Sequence, residues 1–90
     1  MSSTSQKHRN FVSEPMGEKL VTELAGIGPV LGGRLNEAGF DKAYNVLGQF
    51  LLWDKNKELF VAWLHWICSA TANDAENCYK ALNAWCDSHL

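Results

Sequence analysis

Basic charge is scarce in this 90-residue chain: eight Lys and Arg stand against ten Asp and Glu, for a formal net charge of −2. A surface that is basic all over is thereby excluded, and any polyanionic partner has to be held by a local cluster. Long apolar runs are missing as well. None approaches the ~20 residues of a membrane span, and no signal-type apolar segment follows the polar start. Direct membrane insertion is not expected; the cytosol or nucleus is, and at this size the lack of a basic import cluster carries no weight. The three cysteines, Cys68, Cys78 and Cys86, are an odd number in a reducing compartment, which argues against a disulfide framework. The three histidines lie far apart, no serine or cysteine sits in a nucleophile motif, and paired carboxylates occur only in helix-cap settings. An enzyme is not expected, and no cofactor is implied.

What is present suits one small folded domain over residues 1–90. A 47% hydrophobic content with four tryptophans is ample for a core, and residues 1–5 read as a flexible polar tail. Charge is unevenly spread. Residues 1–57 hold seven of the eight Lys and Arg against six acids, whereas residues 58–90 hold Lys80 against Glu58, Asp74, Glu76 and Asp87. An anion-facing surface would therefore be built mainly from the first part of the chain.

The densest local signal is Leu24-Ala25-Gly26-Ile27-Gly28-Pro29-Val30-Leu31. Gly26 and Gly28 permit a sharp turn and a close backbone approach, and Pro29 suits a first helical position. The free N–H groups of that first turn, with the helix dipole, form a ready anion site. The spacing is that of a helix-hairpin-helix over residues 20–38, with helices at 21–25 and 29–38 and Gly39 as the stop. A structural glycine corner between two packed helices would look alike. Residues 6–13 form a short helix ending before Pro15. Asp41 is the expected N-cap of a helix over 42–52, whose buried face is Ala43, Val46, Leu47, Phe50 and Leu51. Asp54 or Asn56 caps a helix over 57–69 that is apolar on nearly every side and cannot be hidden within one subunit. Thr71-Ala72-Asn73-Asp74 reads as a capping box opening the last helix, with Ala75, Cys78, Tyr79, Leu82, Trp85, Cys86 and His89 inward. Nothing suggests a strand, so the class is all-α, a compact bundle of about five short helices. His65-x-x-Cys68 and Cys86-x-x-His89 each put His and Cys on one helical face, as zinc would need, but neither has finger spacing and core packing is the better reading of the cysteines; no metal is expected.

In order and spacing, residues 5–19, the Leu24–Gly28 stretch, Gly39-Phe40-Asp41-Lys42-Ala43-Tyr44, Val46-Leu47-Gly48-Gln49-Phe50-Leu51 and Trp85-Cys86-Asp87 resemble the barrier-to-autointegration factor family. The resemblance runs from about Ser3 to Leu90 and is densest through residue 52. It implies sequence-independent binding of double-stranded DNA through Lys7, Gly26, Gly28, Val30, Leu31, Arg34 and Ala72. It also implies a homodimer that bridges two duplexes, and a groove for LEM-domain proteins of the inner nuclear membrane near Leu52, Leu59, Trp63 and Trp66. Lamins and histones are further implied partners, and chromatin, the nuclear envelope and the cytoplasm the implied locations. Ser3, Thr4 and Ser5 match the family's phosphorylation segment, where added charge beside Lys7 would compete with DNA.

The chain also departs from the family. Asn73 and Glu76 stand where members often carry Lys and Arg, and Asp54 where lysine is usual. Val61, Ala62, His65 and Trp66 replace mostly charged residues, which points to a partner surface. Acids in the first turn of a helix stabilise it, but facing DNA they repel phosphate. The competing expectation is a diverged paralogue with weakened DNA binding, acting as an adaptor or as the heterodimer partner of a more basic relative.

Overall fold

Helix α1, Gln6–Ser13, begins where Ser5 Oγ accepts a hydrogen bond from His8 N–H at 3.1 Å. Ser5 is thus the N-cap of α1 rather than the end of a tail. The computed structural model describes residues 5–90, so Ser3 and Thr4 lie outside the described residues. A three-residue 3-10 turn, Val21–Glu23, precedes α2, Pro29–Glu37; α3 spans Ala43–Leu52, α4 Lys57–Cys68 and α5 Ala72–His89. No strand occurs among the described residues; the single bridge pairs Leu20 with Lys42.

That bridge corrects the expected start of α3. Val21 N–H donates to Asp41 O at 3.0 Å and Ala43 N–H to Lys19 O at 2.8 Å, which keeps residues 41 and 42 extended. The cap position falls to Lys42, and Asn45 Oδ1 reaches back to its N–H at 3.0 Å, so Asp41 is not the N-cap. Between the two candidates for α4, Asn56 is the cap: its side chain accepts from Leu59 N–H at 2.9 Å, while Asp54 sits in the preceding loop at φ 53°. The helix ends one residue early, because Ser69 turns left-handed at φ 61°. At α5, Thr71 Oγ1 accepts from Asp74 N–H at 3.1 Å, the forward half of the expected box.

The core is built where α5 packs against α1 and α4, with α2 on α4 and the 3-10 turn between α2 and α3. Phe50, Phe60 and Leu64 are fully buried, and Phe50 meets Phe60 edge-on at 5.4 Å. On α3 the buried set is Ala43, Val46 and Phe50, while Leu51 faces outward. On α5, Ala81 joins the buried face; His89 instead lies at the surface, stacked on Trp85. The two His/Cys pairs do not converge. Cys68 and Cys86 are buried, whereas His65 and His89 are exposed and bonded to the carbonyls of Ala70 and Val12. Loss of solvation pushes all three thiols up, keeping them protonated as small apolar core groups.

Candidate nucleic-acid interface

Gly26 and Gly28 have different tasks. Gly26 adopts φ +84°, and a Cβ there would overlap the backbone carbonyl of Asp74. It is what allows the turn to press against the first turn of α5, and any other residue is both strained and obstructed. Gly28 is extended, at φ −93° and ψ −170°, and nothing lies within 4 Å of where its Cβ would be. Neither the backbone nor the packing of this chain demands glycine at that position. A bare position opening outward at a helix start suits the close approach of something from outside.

Gly28 is the N-cap of α2 and has no side chain to offer a cap. Its carbonyl accepts the first helical bond, from Gly32 N–H at 2.8 Å, and Pro29 at the first position lacks an N–H. The donors left facing out are those of Val30 and Leu31, at the positive end of the helix dipole. Val30 is 66% exposed and lines an open surface depression.

Lys7 comes to this place from α1. Its Nζ donates to Ile27 O at 2.7 Å, which anchors the turn. Burial pushes the Lys7 ammonium below its ordinary value, opposed by the Glu23 carboxylate. Lys7, Gly26, Gly28, Val30, Leu31 and Asp74 line one shallow depression. Five of the seven residues expected to face DNA are therefore side by side. Ala72 sits two residues before Asp74, exposed at the start of α5. Arg34 is engaged elsewhere: its Nη1 donates to Cys68 O at 3.1 Å and closes the C-terminal end of α4. It satisfies an orphan carbonyl there and complements the dipole, a packing role that its exposed position in the sequence pattern did not announce.

The acids that the resemblance set against lysine and arginine are also sorted by the fold. Glu76 is held by Lys57 at 3.0 Å and Lys80 at 3.8 Å, and its carboxyl lies below the usual range, first through the Lys57 hydrogen bond. Asp54 belongs to the α3–α4 loop and does not line the depression. Asp74 does line it.

A second surface lies on α3 and α4. Leu52 is 72% exposed, Leu59 50% and Trp66 78%, while Trp63 is half-buried against Phe40, with ring centroids 5.1 Å apart. Leu59, Ala62 and Trp66 recur at spacings of three and four, so they share one outward face of α4. Among the described residues no group of His, Cys, Asp and Glu could hold a metal, and no helix is long and apolar enough to cross a membrane.

The hairpin thus brings the start of α2 and Lys7 together at one open surface. The family described as Barrier to autointegration factor matches residues 2–89. The chain is 61% identical over 90 residues to Barrier-to-autointegration factor of Drosophila melanogaster and 64% identical over 90 residues to Barrier-to-autointegration factor A of Xenopus laevis, with both chains of each pair covered completely. It is 59% identical over 87 residues to the Homo sapiens protein, covering 97% of this chain and 98% of that one. The chain belongs to the barrier-to-autointegration factor family. It is accordingly a nuclear, chromatin-associated DNA-binding protein of that type, and not an enzyme.

Proposed function

We propose that the chain is a sequence-independent, double-stranded DNA-binding and bridging dimer that links chromatin to the nuclear envelope through LEM-domain proteins. The observation that carries the DNA part is Gly28: an unobstructed N-cap with the free amides of Val30 and Leu31 behind it and Lys7 beside it. Residues 20–38 then act as a helix-hairpin-helix in which the 3-10 turn replaces a full first helix. Amides and a lysine recognise phosphate and not bases, so unrelated duplexes should compete equally. A phosphate at this place would also offset the desolvation that Lys7 suffers.

Dimerisation is supported by the apolar residues left outside on α3 and α4, since a two-fold pairing covers such a face with its own copy. Leu52, Leu59, Trp63 and Trp66 are assigned to that interface or to the adjoining groove for a LEM domain. Two DNA sites then arise from one site per chain. A second reading, an adaptor that keeps the apolar surface but binds DNA weakly, draws on Asp74, an acid among the residues that line the depression.

A salt titration on random duplex DNA tests the proposal. Affinity should fall by ~0.9 log units per neutralised phosphate for each tenfold rise in salt. Sedimentation should give a dimer at micromolar concentration. A monomer would sink bridging, and a flat salt response would sink the phosphate-binding hairpin.

A further inference from the structure

Asp74 is held in place by its backbone, and its side chain is left over. Its N–H donates to Thr71 Oγ1, and its carbonyl packs on the α-carbon side of Gly26. The residue therefore cannot move off the hairpin without unseating the start of α5. Asp74 is among the residues that line the same depression as Lys7, Val30 and Leu31. Yet among the described residues Asp74 forms no ion pair, whereas Glu76, two positions on, is held by Lys57 and Lys80. Residues two apart on a helix do not share a face. The two acids are equal in formal charge and unequal in what they face.

We propose that Asp74 is a built-in brake on phosphate binding at the hairpin: a fixed, unpaired carboxylate placed beside the amides and the lysine that would hold the DNA backbone. The inference rests on the hairpin being the DNA site. Helix α5 accommodates the acid because a carboxylate in a first turn complements the helix dipole. The DNA surface, packed on that turn through Gly26, inherits the repulsion. Grip on DNA is thereby lowered at a single position, independently of the net charge of the chain.

The test compares two isosteric neutralisations, Asp74→Asn and Glu76→Gln, with the unaltered full chain. Each variant gains one unit of net charge. Binding to a random-sequence duplex of about 20 base pairs is read by fluorescence anisotropy at low and physiological salt. Asp74→Asn should tighten binding roughly 3- to 10-fold at low salt, the range expected for removing one like charge near a phosphate at an interfacial dielectric. Glu76→Gln should change it less than 2-fold. Equal tightening by both variants would overturn the brake, since only net charge would then matter. No change on Asp74→Asn, with the parent still binding and Gly28→Glu abolishing that binding, would overturn the brake and leave the hairpin reading intact. A parent that binds no DNA, with Asp74→Asn equally inactive and folded by circular dichroism, would overturn both. Binding that appears only on Asp74→Asn would support the brake in its strongest form.

Discussion

The two outward faces of this protein are made of different material. The hairpin face presents backbone: two N–H groups, an empty N-cap at Gly28 and a lysine pinned to Ile27 O. The α3–α4 face presents side chains: Leu52, Leu59 and Trp66, with Trp63 half-buried among other rings. Backbone donors need no hydrophobicity and tolerate little bulk, so that face is destroyed by adding atoms. An apolar face works through area and shape, so it is destroyed by adding charge. One molecule thus has two kinds of sensitivity, and substitutions that injure one face should spare the other.

The largest effect expected is on Gly28→Glu. The open N-cap is filled and an anion is placed where phosphate would sit. DNA binding should fall at least ~100-fold at low salt, about 2.7 kcal/mol or more, with helical content and dimer mass unchanged. A folded variant that binds DNA as before would remove the hairpin from the interface. Gly26→Ala separates fold from function on the same turn. Positive φ and overlap with the Asp74 carbonyl should lower stability by about 3 kcal/mol, read by urea denaturation. If the midpoint is unmoved, Gly26 is not the point at which the turn rests on α5.

Trp66→Glu probes the opposite face. Because the ring is 78% exposed, chemical stability should shift by no more than ~0.5 kcal/mol. Self-association or capture of a LEM domain should weaken by about 2 kcal/mol, the scale of a central aromatic at an interface. Loss of the dimer assigns the ring to the interface between copies, and loss of LEM binding alone assigns it to the groove. Neither loss would make the exposed tryptophan irrelevant to both. The smallest effects belong to the acids and amides of α5. Asn73→Lys, exposed near the depression, should steepen the salt dependence by up to about one phosphate equivalent. Glu76→Arg should do less, because the new cation would stand between Lys57 and Lys80 and not in the depression. Equal gains from both would extend the DNA surface around α5 beyond the hairpin side.

Much of the fold was legible because local rules decide it. The end of α1 follows from the approach of Pro15, and Asn56 and Thr71 cap as their residue types prescribe, whereas Ser5, expected in a tail, caps the start of α1. Asp41 misled because capping preference is local, while residues 41 and 42 are held extended by hydrogen bonds to residues 19 and 21, far back in the chain. The site divides in the same manner. Glycine, proline and the following amides announce an anion-binding helix start in the order of residues alone. Arg34 looked like a free cation until the end of α4 came to its guanidinium. Glu76 and Asp74 looked interchangeable until one met two lysines and the other met the hairpin.

By itself the sequence determined the helical class, the position of the glycine turn, the burial of the three cysteines and the family. Each of these is written in spacing along the chain or in residue type. The tertiary structure alone decided that Gly26 is spent on packing while Gly28 is left open, that Lys7 reaches the turn, and that Asp74 faces the depression and Glu76 does not. Those outcomes depend on which distant helix end comes to rest against which turn. Charge and hydrogen bonding act over a few ångströms of space, and residues that close in space can be tens of positions apart in sequence.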